Sequence, residues 1–315
     1  MPPLLEPQKV LCLAGATGTG KTAIAIAVAQ EFGGEIVNAD SRQVYADFPI
    51  ITAQPTPAET GACPHHGYGT LSTGEKTTAG TWAQSAAGTA RDIAARGGLP
   101  ILVGGTGLYF HTLLNGIAAI PAIDPEIGKS LAARADAGEL ADLHRELARL
   151  DPAYAARTHP NARQRILRAL EVARGTGKPF SWWHANAMQP PLCTGPLLVL
   201  DIGIAALEPR LAARIDRMLA DGALAEAERA HRNCPDPAAP GWTGIGAAET
   251  LEVLLGTLSL DACKERWLAR TRAYAKRQRT WFRGRPEAVF LAPEVDAVVA
   301  FLRNLQARPP RRRKA

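Results

Sequence analysis

A glycine-rich stretch near the start of the chain has the residues of a phosphate-binding loop. Residues 15–22 read GATGTGKT and match the pattern G-x-x-x-x-G-K-[ST], between an apolar run and an Ala/Ile-rich helical pattern. In such a loop backbone N–H groups converge on phosphate oxygens, Lys21 adds a positive charge, and the Thr22 hydroxyl can reach a bound Mg²⁺. The motif predicts a di- or triphosphate site without saying which phosphate binds. The predicted contacts are Gly15, Ala16, Thr17, Gly18, Thr19, Gly20, Lys21 and Thr22.

Asp40 is a candidate for acid–base chemistry beside this loop. It follows a short strand-like segment, 35–38, within the stretch NADSRQVY at 38–45. A carboxylate at the carboxyl end of a parallel strand lies where α/β folds place their chemistry. The alternative, equally open from position alone, is that Asp40 is the N-cap of a following helix.

A second aspartate, Asp201, is the one candidate for the metal-holding carboxylate that phosphoryl transfer from a nucleotide needs. It follows the apolar run 197–200, but residues 202–204 look like a continuation of that strand. We therefore interpret Asp201 first as a strand residue. The apolar run 101–103 leads into Gly104-Gly105-Thr106 without an aspartate, so a convincing metal-binding carboxylate is missing.

Composition excludes several classes of protein. The chain has 315 residues, of which 46% are hydrophobic and 21% charged, which is typical of a globular protein rather than a disordered one. We expect no secretory leader and no membrane helix, because no apolar run approaches the roughly 20 residues that a span needs. The five cysteines are far apart, which favours a reduced, cytoplasmic protein. Adjacent histidines in a strand point to opposite faces, so we expect no metal site at His65 and His66.

Positive charge is concentrated near the carboxyl end. The net charge is +6, while residues 264–285 alone contain nine Lys or Arg and one acid. On charge alone this indicates either a polyanionic partner or a solvated helix face. Trp267, Tyr274 and Trp281 share one face of the predicted helix, and we interpret that face as core rather than as a base-stacking platform. A second stripe is our candidate for phosphate contacts: Arg272, Lys276, Arg279 and Arg283.

The elements that must position these residues form an α/β fold. Short apolar runs alternate with helical patterns up to about residue 115, which predicts a parallel sheet. We predict strands at 10–14, 35–38, 100–103, 197–204 and 288–291, and helices at 21–32, 81–96, 207–220, 223–231, 245–255 and 260–282. The fold class is a P-loop NTPase-like parallel-sheet core with an all-helical insertion domain. Its predicted parts are a first core segment 1–115, an insertion 116–195, a second core segment 196–306 and a disordered basic tail 307–315.

Taken together, seven stretches resemble the bacterial tRNA dimethylallyltransferase (tRNA isopentenyltransferase) family. The phosphate loop alone is weak support, but its conjunction with the other stretches, in family order, is specific. The matching stretches are GATGTGKT (15–22), NADSRQVY (38–45), ITAQP (51–55), PHH (64–66), LVGGTGLY (102–109), HPNARQRILRALEV (159–172) and TRAYAKRQRTWFR (271–283).

The resemblance implies transfer of a dimethylallyl group from dimethylallyl diphosphate to the exocyclic amine of adenosine 37 in tRNA. The phosphate loop would then hold the diphosphate of the prenyl donor, with Mg²⁺ as cofactor. An adenine amine is a poor nucleophile, and Asp40 matches the family's general base. Thr106 matches the family threonine at the reacting centre, and Arg214 aligns with the arginine that contacts the diphosphate. Arg210 or Arg217 remains an alternative to Arg214, as does a solvated helix face.

The family's tRNA contacts fall on three segments and on the helical insertion, which would clamp the anticodon stem. The implied contacts are Asp40, Ser41, Arg42, Gln43, Gln164, Arg165, Ile166, Leu167, Arg168, Thr243, Gly244, Ile245, Gly246, Ala247 and Ala248. Further phosphate contacts are expected from Arg163 and Arg174.

This sequence departs from the family pattern at four positions near that surface. Ala162 stands where the family usually has Asp, Gly128 where it has Arg, and Ala247 and Ala248 where it has an aromatic residue and a cation. None of the four belongs to the phosphate loop or to Asp40. We therefore expect the chemistry to be retained and the affinity or selectivity for tRNA to be altered.

Three other interpretations stay open. A P-loop small-molecule kinase would use Asp201 to hold a metal, and an isopentenyltransferase could act on free adenylate. An RNA-binding protein on an inactive scaffold is the non-enzymatic alternative, although Lys21, Thr22, Asp40 and Thr106 are all present. We expect a monomer, since one chain acting on one tRNA needs no second copy.

Overall fold

The computed structural model describes residues 6–307. The chain divides into two compact units, of which one combines the chain up to Leu114 with the chain from Leu192, and the other is Asn115–Pro191. The sequence analysis predicts 116–195 for the insertion. Of the tail 307–315, predicted to be disordered, residues 308–315 lie outside the described residues.

The first part of the chain alternates strands and helices. Its strands are β1 Gln8–Lys9, β2 Leu11–Gly15, β3 Gly34–Asn38, β4 His65–His66 and β5 Leu99–Gly104. Its helices are α1 Lys21–Phe32, α2 Pro57–Ala62, α3 Ala79–Ala95 and α4 Gly107–Asn115. The predicted helix 21–32 is confirmed, and Gly33 ends it in the left-handed conformation that glycine favours.

The second unit consists of helices that bury one face each. They are α5 Pro125–Asp136, α6 Leu140–Leu150, α7 Pro152–Ala155, α8 Arg163–Thr176 and α9 Phe180–Asn186. Leu131, Leu143 and Leu170 are fully buried in their common core. Asp151 caps α7 and also accepts hydrogen bonds from the backbone and hydroxyl of Ser181, which ties α9 to the start of α7.

The chain then returns to the first unit. The remaining strands are β6 Cys193–Thr194, β7 Leu197–Leu200 and β8 Ala288–Leu291. The remaining helices are α10 Ile204–Ala220, α11 Ala223–Asn233, α12 Ala247–Leu254, α13 Leu260–Arg283 and α14 Val295–Gln306, with a 3-10 helix at Pro240–Thr243. The predicted strand 197–204 is too long, because the strand ends at Leu200 and Ile204 already begins α10.

Six parallel strands form the main sheet, in the order β4-β3-β5-β2-β7-β8, while β1 pairs with β6. The central strand β2 is buried along its whole length, as expected for a parallel sheet covered on both faces. One face packs against a core that includes Trp82, Phe110 and Phe282, and the other against a core that includes Val28 and Val298. The predicted parallel α/β class is confirmed.

This strand order brings three functional segments to one edge. The carboxyl ends of parallel strands meet at the same edge of a sheet, and β5 lies between β2 and β3. The phosphate loop follows β2, Asp40 follows β3 and Thr106 follows β5. The topology therefore sets these segments side by side. No helix among residues 6–307 is long and apolar enough to span a bilayer.

Helices α10 to α13 form a further core with the segment 44–51. Within it, the carboxylate of Glu226 on α11 is almost completely buried. It accepts the backbone N–H of Ile50 at 2.6 Å and that of Ile51 at 2.8 Å. Burial raises the pKa of Glu226, and these two hydrogen bonds oppose the rise. One carboxylate thus anchors a loop 175 residues away in sequence.

Glu226→Gln should destabilise the protein by about 1–3 kcal/mol, because the amide nitrogen cannot accept one of the two buried N–H groups. Urea unfolding followed by circular dichroism measures the change. Glu228→Gln on the exposed side of α11 is the matched control and should unfold like the wild type. Equal stability of the Glu226 and Glu228 variants would show that the carboxylate is not an anchor.

Candidate active site

Segments that the sequence singles out line one cavity of about 1000 Å³. Its walls come from the phosphate loop, the residues after β3, the loop 49–57, α10 and α13. The lining residues predicted from sequence are Thr17, Gly18, Gly20, Lys21, Thr22, Asp40, Ser41, Arg42, Gln43, Arg214, Arg217, Thr243 and Ile245.

The phosphate loop presents its second half to this cavity. Gly15, Ala16 and Thr19 are buried below it, and the Thr19 hydroxyl donates to the Ala16 carbonyl at 2.9 Å. Gly20 precedes α1 with a φ of 83°, a conformation that a residue with a Cβ rarely adopts. Gly20, Lys21 and Thr22 line the cavity, so the N-terminus of α1 faces it and favours an anion there.

Two cations and one carboxylate interact within the cavity. Burial lowers the pKa of Lys21 to about 8, with Asp40 raising it and Arg214 lowering it further. Burial also lowers the pKa of Arg214, against the opposing effect of Asp40. Of the three alternative arginines, Arg214 and Arg217 line the cavity and Arg210 does not. The cavity thus carries an excess of positive charge that suits a phosphate ligand.

Asp40 is held in place by hydrogen bonds of its backbone and its side chain. Its Oδ1 accepts the N–H of Arg42 at 2.9 Å, and its own N–H donates to the Asn38 side chain at 2.8 Å. Asn38 is fully buried and also donates to the Gly67 carbonyl at 3.0 Å. The alternative of Asp40 as a helix N-cap is wrong, because a turn follows it rather than a helix. Its Oδ2 has no hydrogen-bond partner among the described residues.

Thr106 lies against the Asp40 segment rather than on the cavity wall. Its Oγ1 accepts the N–H of Ser41 at 2.9 Å and donates to the Ser41 hydroxyl at 3.2 Å. Burial raises the pKa of Tyr274, a cavity residue, and Thr106 lowers it against that larger rise. Its proposed contact with a donor oxygen stays a prediction.

Two tyrosines that line the cavity add hydrogen-bond donors. Burial raises the pKa of Tyr274 to about 12, with a further rise from Asp40 and an opposing effect of Thr106. Burial and Asp40 also raise the pKa of Tyr68. Both hydroxyls therefore stay protonated at neutral pH. Sequence analysis missed Tyr68. The interpretation of the Trp267–Tyr274–Trp281 face as core holds for Trp267, which is 3% exposed although it also borders the cavity, and for Trp281, which packs against the core of the sheet; Tyr274 is half-buried and lines the cavity.

The predicted phosphate stripe on α13 is mostly paired with acids. Arg272 forms an ion pair with Glu208 at 2.7 Å, while Arg279 and Arg283 bind Asp201 at 2.5 and 2.9 Å. Lys276 is exposed, and no acid pairs with it among residues 6–307. The positive charge of these three arginines is therefore already offset by acids of the same protein.

The same contacts correct the interpretation of Asp201. Although its burial raises the pKa of Asp201, the ion pairs with Arg279 and Arg283 lower it overall. Asp201 does not line the cavity, and within the described part of the chain no group of three or more His, Cys, Asp or Glu side chains could hold a metal. Asp201 thus serves as the anchor of α13 rather than as a metal ligand.

Arg277, which sequence analysis did not single out, lines the cavity instead. Its guanidinium lies 5.6 Å from the centre of the Tyr274 ring. Arg42 also faces the cavity and donates to the Thr243 hydroxyl at 2.9 Å. Neither arginine has a carboxylate partner among the described residues. Arg42 and Arg277 thus add to the positive charge that Lys21, Arg214 and Arg217 bring to the cavity.

Some of the predicted RNA contacts have buried side chains. Ile166 is fully buried in the helical unit, and Ala247 is 1% exposed in the core around α12. These two side chains cannot touch a partner, which corrects their assignment. On α8, Gln164, Arg165 and Arg168 are exposed and Leu167 is half-buried. Arg163, Arg168 and Arg174 pair with Asp136, Glu171 and Glu146, which leaves Arg165 as the cation of this group without an acid partner in the described residues.

Comparisons with known proteins agree across almost the whole chain. A family model described as IPP transferase matches residues 43–285, and one described as isopentenyl transferase matches residues 8–63. The chain is 62% identical over 299 residues to a tRNA dimethylallyltransferase of Desulfovibrio desulfuricans, covering 94% of this chain and 92% of that protein.

Solved structures give the same picture. A tRNA isopentenylpyrophosphate transferase from Bacillus halodurans superposes with a TM-score of 0.68 at 28% identity, covering 95% of this chain and 96% of that one. A eukaryotic dimethylallyltransferase acting on tRNA superposes with a TM-score of 0.76 at 29% identity, covering 98% of this chain and 82% of that one.

The lowered pKa of Lys21 predicts how an anion binds. Inorganic pyrophosphate should bind best when Lys21 is protonated, so its affinity should fall by up to about tenfold per pH unit above pH 8. Titration calorimetry from pH 7 to pH 9.5 measures this, and binding at high pH should take up protons.

The matched control is Lys21→Arg, since arginine keeps its charge throughout this range. The ionisation of pyrophosphate itself affects both proteins equally, so the ratio of their affinities isolates Lys21. If that ratio is constant from pH 7 to pH 9.5, Lys21 does not titrate in this window.

Proposed function

The chain belongs to the tRNA dimethylallyltransferase family, and we propose that it transfers the dimethylallyl group of dimethylallyl diphosphate to the N6 amine of adenosine 37 in tRNA. The product would be N6-dimethylallyladenosine. One chain is enough to hold both substrates, so we propose a monomer that acts in the cytoplasm, where tRNA is available.

One observation carries this proposal: a rigidly held carboxylate shares a cavity with a cationic phosphate loop. Asp40 is close enough to Lys21 and Arg214 to shift the pKa of both. A base and a site for a phosphate leaving group are thus present together. This arrangement suits a reaction in which a proton is removed while an anionic group departs.

The reaction follows from these positions. The N6 lone pair attacks the allylic carbon, the new C–N bond forms, and the C–O bond to the diphosphate breaks. The amine proton passes to Asp40, whose Oδ2 is the free acceptor. Negative charge that develops on the diphosphate is stabilised by Lys21, Arg214 and the N–H groups at the start of α1.

Mg²⁺ fits this site only as a partner of the diphosphate. A Mg²⁺ ion commonly takes one or two protein oxygens and completes its shell with waters and substrate phosphates. The Thr22 hydroxyl on the cavity wall is such a protein ligand, and the described residues offer no acidic cluster beside it. When bound, the ion would neutralise part of the charge on the leaving diphosphate.

The acceptor side of the cavity suits an RNA base. Adenosine must leave its stack to reach Asp40, as in other enzymes that act on a base. Arg42 and Arg277 supply positive charge for the flanking phosphates, and the protonated hydroxyl of Tyr274 can donate to the base or sugar. We propose that the exposed residues of α8 contact the anticodon stem. Ala162 and Gly128, which depart from the family pattern in the helical unit, would weaken or retune binding to tRNA without affecting the chemistry.

Two competing activities lack such support. A kinase needs a carboxylate that holds the metal of ATP, and Asp201 is bound by two arginines outside the cavity. An isopentenyltransferase for free adenylate would have the same chemistry, but it has no need of exposed arginines beyond the cavity.

Incubation with dimethylallyl diphosphate and unmodified tRNA should attach one prenyl group to adenosine 37, as measured by mass spectrometry of nuclease fragments. AMP offered in place of tRNA should remain unmodified, and ATP should not be hydrolysed. Prenylated AMP would favour the adenylate enzyme. Acceptor-stimulated ATP hydrolysis without prenylation would favour the kinase.

Asp40→Asn should lower kcat by about 10²–10⁴-fold, since the amide cannot take the proton although it can still accept the N–H of Arg42. The dissociation constant for tRNA, measured by filter binding, should stay near the wild-type value. Asp92→Asn on the exposed face of α3 is the matched control. A variant at Asp40 with full kcat would remove the carboxylate from the mechanism.

A further inference from the structure

We propose that Gln278 is a positioning residue that fixes the phosphate loop to the Thr106 segment. Gln278 lies on α13, a helix separate from both segments, and its side chain is 5% exposed. The inference rests on the proposed prenyl transfer, because its effect is measured on that reaction.

The side-chain amide of Gln278 makes one hydrogen bond to each segment. Its Oε1 accepts the N–H of Thr17 at 3.0 Å, and its Nε2 donates to the carbonyl of Gly105 at 2.9 Å. Thr17 belongs to the phosphate loop after β2, and Gly105 lies between β5 and Thr106. A buried amide with both ends satisfied holds its two partners at a fixed separation.

The close packing at Gly105 supports the same role. A Cβ on this residue would lie 2.1 Å from Nε2 of Gln278, which is far inside van der Waals contact. A Cβ at 105 would fit only if the Gln278 amide moved away, which would break its hydrogen bond to the Gly105 carbonyl. The two residues form one unit in which the backbone approaches the amide directly.

This unit matters because of what lies on each side of it. On one side, Thr17 lines the cavity where the diphosphate would bind. On the other side, Thr106 accepts the N–H of Ser41, which is adjacent to the general base Asp40. Gln278 thus sets the spacing between the leaving group and the base. Among residues 6–307, Gln278 meets the phosphate loop through the N–H of Thr17 alone, and its hydrogen bonds do not include Lys21, Thr22 or Arg214.

Gln278→Met keeps the length of the side chain and removes both hydrogen bonds. Misplacement of reacting groups by about 1 Å costs about 10²-fold in rate, so kcat for prenyl transfer should fall by about 10–100-fold. The dissociation constant of inorganic pyrophosphate, measured by calorimetry, should change much less. A merely structural role would change both together or neither. Gln84→Ala on the exposed side of α3 is a control for a glutamine outside the site.

A double-mutant cycle with Gly105 provides the second measurement. Gly105→Ala alone should lower kcat strongly, because its Cβ collides with the amide of Gln278. Gln278→Ala removes the collision partner, so the double variant should be more active than the product of the two single effects predicts. Thermal unfolding of each variant shows whether it is folded at the assay temperature. If the methionine variant is unfolded there, Gln278→Glu replaces it, because glutamate can still accept the N–H of Thr17.

The proposal is wrong if Gln278→Met keeps wild-type kcat, or if the loss of kcat is matched by an equal loss of pyrophosphate affinity. It is also wrong if the effects at Gly105 and Gln278 simply multiply. Failure of the wild type to prenylate tRNA would instead overturn the proposed function, and pyrophosphate binding would still report on the loop.

Discussion

The site depends on the electrostatic interaction of Lys21, Arg214 and Asp40 in a cavity partly shielded from water. Burial penalises each charge, and the two cations repel each other, so the pKa of Lys21 lies near 8. Asp40 offsets only part of this cost. An anionic ligand would offset the remaining cost of burying the two cations, since its negative charge would stabilise both at once. In the proposed reaction, donor binding and proton transfer from the acceptor would therefore take place within one group of interacting charges.

The parallel sheet provides the geometry for this arrangement. Because β5 is inserted between β2 and β3, the segments that follow these three strands are neighbours although they are far apart in sequence. Helix α13 contributes Tyr274, Arg277 and Gln278, which lie within about one turn of the helix. A long helix is well suited to this task, since its regular rise fixes the relative positions of side chains that bind different loops. The fold therefore brings Asp40, the phosphate loop and residues of α13 to one cavity.

The sequence predicted the parts of the site whose signal is local. A phosphate loop is recognisable because glycine, lysine and threonine must occur at fixed spacing, and helix α1 and strand β8 have the bounds that their apolar runs suggest. The sequence could not predict which charges find a partner. Asp201 and Arg279 are 78 residues apart, and only the folded chain brings them together. The turn after Asp40 is likewise held by a distant residue, since Ser41 donates its N–H to Thr106, 65 residues away. Tyr68 was missed because a single tyrosine in a loop has no pattern to distinguish it. Helix α2, which was not predicted, does have a local signal, since Thr56 and Glu59 form a capping box at its start.

The pairing of basic residues on α13 affects how binding to RNA should respond to ionic strength. Six of the nine cations between residues 264 and 285 are in ion pairs with acids of the same protein. Each phosphate that a protein neutralises contributes roughly one unit to the slope of log K against log salt, through the counterions that it releases. Cations that already pair with acids of the protein neutralise fewer phosphates and so release fewer counterions. Despite its composition, this helix should therefore contribute a shallow salt dependence, and discrimination between RNAs should depend more on the shape of the cavity than on the general attraction of a polyanion.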